Sequence, residues 1–129
     1  MKLTITLAQI DLIFGNPDAN FAKVADSAEE AARRGSNWLV VPELWSTAYD
    51  LENAASYATD TSSGIFARVA DLAKQHGLHI IGSCLSKLEA GGFGNTATWH
   101  DPSGAELGQY SKLHLFRLMD EHKLSLIHI

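Results

Sequence analysis

The sequence predicts an α/β domain, a mixed β-sheet flanked by helices. Two observations carry this reading. Apolar stretches of strand character alternate twice with amphipathic helical stripes, and after the third strand the helices give way to turn signals. The resulting order, β-α-β-α-β-β-β, has crossovers first and hairpins later, which implies parallel pairing followed by antiparallel pairing in one sheet.

Each element has a local reason. Leu3, Ile5 and Leu7 alternate with Thr4, Thr6 and Ala8, the period-two pattern of a strand. Asn16-Pro17-Asp18 is turn chemistry in which Pro17 or Asp18 suits a first helical turn. From there to Arg34, Phe21, Val24, Ala25, Ala28 and Ala32 recur at spacings of three and four, a narrow apolar stripe. Arg33 and Arg34 complement the negative end of the helix dipole, and Gly35 fits the left-handed position beyond it. Trp38-Leu39-Val40-Val41 is a continuous apolar run, expected to be a strand buried on both faces and stopped by Pro42. A second helix is expected from about Gly64 to His76, with Phe66, Val69, Ala70 and Ala73 on one side and Gly77 as its stop; Leu51 to Ala58 carries a weaker helical signal. His79 to Lys87 reads as a strand, and the glycines between Glu89 and Gly94 as a turn into a strand at Asn95–His100. Asp101-Pro102-Ser103-Gly104 is a type I turn signal, followed by a short strand near Leu107–Tyr110.

Composition narrows the function classes. A chain of 129 residues with 46% hydrophobic and 19% charged residues is long enough for one modest core and too apolar for wholesale disorder. A formal net charge of −5 argues against a non-specific nucleic-acid or anionic-membrane binder. One cysteine cannot make an internal disulfide, and no run approaches the ~20 apolar residues needed to span a bilayer. The start lacks the long apolar stretch of a signal peptide, so a cytoplasmic domain is expected.

Two residues sit where an α/β sheet places its chemistry, at strand ends. Glu43 follows the buried run in Val41-Pro42-Glu43-Leu44-Trp45. Partial desolvation there would raise its pKa and make it a base near neutral pH; the other reading is an ordinary acidic loop residue. Lys112, in Tyr110-Ser111-Lys112-Leu113-His114-Leu115-Phe116, is either an oxyanion-stabilising cation or a solvated lysine whose stem covers apolar surface. Cys84 lies mid-strand in an apolar stretch with no adjacent cation or helix start, and reads as a buried structural thiol. The six histidines show no metal-ligand spacing, so no metal is expected. Gly91-Gly92-Phe93-Gly94 lies between two strands, with no helix N-terminus to bind phosphate.

Taken together these segments resemble the nitrilase, or carbon–nitrogen hydrolase, superfamily. The resemblance rests on an ordered set: Ala8-Gln9, Asn20, Pro42-Glu43-Leu44, Gly82-Ser83, Asn95-Thr96-Ala97, Gly104 and Lys112-Leu113-His114-Leu115-Phe116. It implies an α-β-β-α sandwich, of which residues 1–123 form the N-terminal part, and cofactor-free hydrolysis of amide or nitrile bonds. It implies Glu43 as general base, Lys112 as oxyanion stabiliser and Glu121 as the second glutamate, with Asp120 the weaker candidate. Trp45 and Tyr49 fall where related proteins line the substrate pocket. The blocks Pro42 to Leu51 and His114 to His122 look most like the ω-amidase branch, which deamidates short dicarboxylic monoamides such as 2-oxoglutaramate. The expected partner is a small amide, with neither nucleic acid nor membrane, and the full-length form is expected to be a homo-oligomer.

One departure stands against this match. The family's nucleophilic cysteine follows the lysine in a Cys-x-Asp-x-Arg-Phe-Pro-like segment that this sequence does not contain, and Cys84 precedes the lysine. The residues 124–129 also do not resemble the family's glycine-containing loop. The expectation is therefore an N-terminal portion of an amidase, inactive by itself. The alternative is a non-enzymatic α/β binding or regulatory module that kept the scaffold without the nucleophile.

Overall fold

The computed structural model describes residues 1–117 and 120–124; Leu118, Met119 and the tail 125–129 lie outside it. The fold is one five-stranded mixed sheet in the order β1-β2-β3-β4-β5. Strands β1 (Ile5–Leu7), β2 (Trp38–Val40) and β3 (His79–Lys87) are parallel neighbours. Strands β4 (Phe93–His100) and β5 (Glu106–Ser111) continue the sheet by antiparallel pairing. The crossovers are helices α1 (Pro17–Arg33) and α3 (Gly64–His76), and α2 (Ala54–Tyr57) is a single turn. The expected α/β order and the change from crossovers to hairpins are both present.

Local chemistry explains the element boundaries. Asn16 caps α1 by accepting from the Ala19 N–H at 3.1 Å, with Pro17 in the first turn. Gly77, at φ 65°, closes α3 in the left-handed conformation, which disfavours a side chain. The weaker signal at Leu51–Ala58 yields only Ala54–Tyr57, because Ala58 turns extended and Thr59 pairs with Ser86 of β3. The hairpin into β4 closes by a bond from Leu88 N–H to the Gly92 carbonyl, so β4 begins at Phe93 rather than Asn95. The Asp101–Gly104 turn makes its expected bond, Gly104 N–H to the Asp101 carbonyl at 2.9 Å.

Both long helices pack on the same face of the sheet. Val24, Ala28 and Ala31 of α1 and Phe66, Val69, Leu72 and Ala73 of α3 join Leu39, Ile80 and Cys84 in one buried cluster. This corrects the expectation for Trp38–Val41: Leu39 is fully buried against the helices, whereas Trp38 and Val40 are only half-buried. They point to the other face, where Ile5 and Leu7 of β1 and Tyr110 of β5 are exposed. Pleating puts successive side chains on opposite faces; on the second one the end at Leu85 and Asn95 is buried under Leu44 and the Glu121–Leu124 turn, and no described helix covers the rest. A stack of Trp38 on His79, ring centroids 4.7 Å apart, with Trp99 donating to His79 Nδ1 at 3.0 Å, fills the middle of that open face. No helix among the described residues is long and apolar enough to cross a membrane.

Candidate active site

The segment after β2 is built to hold Glu43 rigidly. Beyond Pro42 the chain leaves the sheet in a tight run of turns, with Leu44 at φ 46°, Ala48 at φ 52° and Tyr49 at φ 68°. Left-handed backbone at non-glycine residues costs of order 1–3 kcal/mol each and persists only where the surroundings enforce it. The enforcement is visible. Ser83 of β3 accepts the Leu44 N–H on its hydroxyl at 2.9 Å and the Trp45 N–H on its carbonyl at 3.3 Å. From the other side Asn20, fully buried on α1, donates to the carbonyls of Ser46 at 2.9 Å and Ile13 at 2.7 Å. Two residues of the sequence pattern, Asn20 and Ser83, thus act as clamps on the turn that carries Glu43.

Lys112 leaves the end of β5, and its Nζ lies 2.9 Å from both Glu43 Oε1 and Glu121 Oε2. Glu121 opens a single 3-10 turn, Glu121–Leu124, and is fully buried. Its Oε2 also accepts the Phe116 N–H at 2.8 Å, which folds the segment after Lys112 back over the sheet end. Asp120 is exposed beside it and pairs with Lys123, so of the two acids only Glu121 reaches the cluster. Asn95, at 2% exposure on β4, donates its side-chain amide to Glu43 Oε1 and to Glu121 Oε1, 2.7 Å each. The sequence marks Asn95 as part of a pattern and assigns it no role. Its reach to residues on two other segments is visible only in three dimensions.

The electrostatics follow from one cation between two anions. Burial pushes the Glu43 carboxyl up, but hydrogen bonds from Lys112, Tyr49 and Asn95 outweigh it and hold the group below the ordinary glutamate value. This corrects the expectation of a raised value: the carboxylate is half-open to solvent and well supplied with donors. For Lys112 burial pulls down, yet bonds to Glu43 and Glu121 hold it above the ordinary ammonium value, so it stays charged. Tyr49 is raised by burial and by the Glu43 carboxylate that accepts from it, so it remains a phenol donor.

A pH dependence follows. Below 4.5, the ordinary glutamate value, the unfolded chain takes up a proton at Glu43 before the folded chain does. The Glu43 contribution to stability is therefore present above 4.5 and is lost as pH falls through the lower folded value. Urea denaturation between pH 6 and about pH 3 should show a shallower acid decline in Glu43→Gln than in the unaltered chain. Identical acid limbs would refute the assignment.

The remaining sequence candidates lie elsewhere. Trp45 is 1% exposed and packs in the helix-side core, 6.3 Å from the Phe21 ring, so it supports the turn and does not border the Glu43 cluster. The positive φ at Leu44 turns the chain between the two residues and sends them to different places. Tyr49 does reach Glu43, through its hydroxyl. Cys84 is buried among the helix-side residues. Pairing of Cys84 with Thr96 and of Leu85 with Asn95 puts the thiol on the sheet face opposite the Asn95 amide. Burial pushes the thiol up to about 12, against a weak opposing bond to Ser46, so it is not a thiolate at neutral pH. A groove between α1 and α3, lined by Phe21, Arg68 and His76, holds none of the charged cluster.

Comparison with known proteins fits this geometry. The sequence is 35% identical over 122 residues to the 2-oxoglutaramate amidase of Bacillus subtilis, covering 95% of this chain and 47% of that protein. It is 27% identical to the mouse omega-amidase NIT2 over 114 residues, 88% of this chain and 41% of that protein. The chain spans about half the length of the curated relatives it matches. A CN-hydrolase superfamily protein from Xanthomonas campestris, solved with an arsenic adduct in its active site, superposes with a TM-score of 0.84 at 29% identity. That superposition covers 95% of this chain and 44% of that one, so the helix-flanked sheet is the nitrilase-type fold over part of its length. The carbon-nitrogen hydrolase family model matches residues 4–126, and with the fold and the sequence pattern in agreement, the chain belongs to the carbon–nitrogen hydrolase family.

Proposed function

We propose that this chain carries the base, the lysine and the supporting glutamate of an enzyme that hydrolyses the amide bond of a small substrate through a cysteine thioester. The observation that carries the reading is the Lys112 ammonium held 2.9 Å from both Glu43 and Glu121. In this scheme Glu43 takes the proton from a cysteine thiol as sulfur attacks the amide carbon. The carbonyl oxygen becomes an oxyanion beside Lys112, whose fixed positive charge stabilises it without reorganisation. Collapse breaks the C–N bond, the proton passes from Glu43 to nitrogen, and ammonia leaves. Water, deprotonated by Glu43, then attacks the thioester, releasing the carboxylic acid and restoring the thiol. Tyr49 borders the substrate next to the base, whereas Trp45 serves as a core support.

Cys84 is not the thiol of that scheme, being fully buried on the opposite sheet face. The chain has no other cysteine, so we propose that the nucleophile comes from outside these 129 residues and that the chain alone does not turn over amides. The identity to the Bacillus subtilis enzyme supports ω-amidase substrates, short monoamides of the 2-oxoglutaramate type. A cytoplasmic homo-oligomer is part of the same proposal.

The test is ammonia release from 2-oxoglutaramate by the gene product that contains this chain, with the 129-residue chain in parallel. Release by the former and none by the latter is expected. The chain's Cys84 should react with a thiol reagent only on unfolding, and Cys84→Ser should leave activity of the gene product unchanged. Turnover by the 129-residue chain that disappears in Cys84→Ser would overturn the assignment of the nucleophile. No release from any short amide by the gene product would favour the binding-module reading.

A further inference from the structure

Asn95 touches all three residues of the charged cluster, two at their carboxylates and the third at its main chain. Its Nδ2 donates to Glu43 and to Glu121 at 2.7 Å each, and its main-chain carbonyl accepts the Lys112 N–H at 2.9 Å. We propose that Asn95 is the positioning residue of the site, a neutral bridge that holds the two carboxylates on either side of the lysine and anchors the lysine's own backbone. Its value to the reaction rests on the reading of Glu43 and Lys112 given above; its geometry does not.

The chemistry fits asparagine and few alternatives. Two carboxylates within reach of one ammonium leave a net negative charge that favours their separation or protonation. An amide nitrogen with two hydrogens can satisfy one oxygen of each carboxylate without adding charge. Both neighbours are acceptors, so the nitrogen and not the oxygen must face them. Serine would offer one proton, and aspartate would add a third acid. The bridge is also stiff. Asn95 is paired to Leu85 on one side and bonded to Lys112 on the other, at 2% exposure. A mobile side chain could not hold Glu43 against solvent, where its side chain is 46% exposed.

The groups that face Glu43 are Lys112, Tyr49 and Asn95, with Glu121 across the lysine. The test is therefore the titration of Glu43, followed by carbon-detected NMR on the 129-residue chain. In the unaltered chain the two Asn95 side-chain amide protons should exchange slowly and shift through the Glu43 midpoint. In Asn95→Asp, nearly isosteric, the Glu43 midpoint should rise by about one pH unit, and in Asn95→Leu by about half a unit. Thr96→Val is the control for mere loss of packing. It removes the hydroxyl that bonds Ser86 and Ser111 on the opposite face, and should lower stability while leaving the Glu43 midpoint in place.

Asn95 amide protons that exchange freely and ignore the Glu43 titration would overturn the proposal, as would an unchanged midpoint in folded Asn95→Asp. If neither variant folds, the amide protons of the unaltered chain decide alone. None of these readouts depends on turnover. Failure to release ammonia would remove the amidase reading and leave the bridge, and an unmoved titration would do the reverse.

Discussion

Lys112→Met is expected to lower the stability of the fold by about 3 kcal/mol, the low end for removing one partner of a buried ion pair. Glu121 is fully buried and would lose the one charged partner it has among the described residues, while the lysine itself is 31% exposed. The Asn95 amide and the Phe116 N–H remain as donors, which keeps the loss from the upper end of the range. Methionine preserves the length of the stem, so packing along it survives and the charge is what is removed. In urea at pH 7 the loss should move the midpoint by more than about 1 M. Lys112→Arg should recover much of it, since the charge returns. A Lys112→Met chain within about 0.5 kcal/mol of the unaltered one would mean that Glu121 is satisfied by neutral donors alone. Under the proposed chemistry the same substitution in the gene product should lower turnover by about 10²-fold or more, the scale on which a single oxyanion donor acts.

Gly82→Ala is expected to destabilise by about 2–3 kcal/mol, an overpacking effect and not a backbone one. A Cβ at Gly82 would lie 2.2 Å from Val41 Cγ2 and 3.1 Å from Trp45 Cδ1, and only displacement of both relieves that. Val41 leads into Pro42-Glu43, and the next residue of β3, Ser83, clamps the turn at Leu44. The strain therefore reaches the base: amide resonances of residues 43–49 should shift in Gly82→Ala while those of α3 stay in place. Glycine at this position is what lets the Val41 and Trp45 side chains close over the strand. A Gly82→Ala chain of unaltered stability would show that the close approach is not a constraint.

Most of the fold is written in local pattern. Gly64–His76 and His79–Lys87 are bounded in the structure at the residues the sequence indicates, because Gly77 can take the left-handed cap and the apolar periodicity on each side is unambiguous. The turn chemistry of Asp101–Gly104 is equally local. Burial on the far face of β2 is not. A continuous apolar run says that both sides of a strand can be buried, and only the placement of α1 and α3 on one face says that one of them is. The site divides in the same way. Glu43 and Lys112 stand out at strand ends, but the donors that hold Glu43 low come from Asn95 and Lys112, 52 and 69 positions away. A sequence neighbourhood of proline, leucine and tryptophan suggests desolvation and a raised pKa; the tertiary neighbourhood supplies an ammonium and an amide.

The sequence by itself determined the order of strands and helices, the family resemblance, and the acid and lysine on which the candidate chemistry turns. It also marked Cys84 as structural from its apolar surroundings alone. Only the tertiary structure decided which charges face each other, that Glu121 and not Asp120 completes the cluster, that Trp45 belongs to the core, and that Asn95 joins the three charged residues. The physical reason is range. Periodicity, caps and turns are set by residues within a few positions, whereas a carboxylate's proton affinity is set by whatever charge or donor the fold brings within about 3 Å.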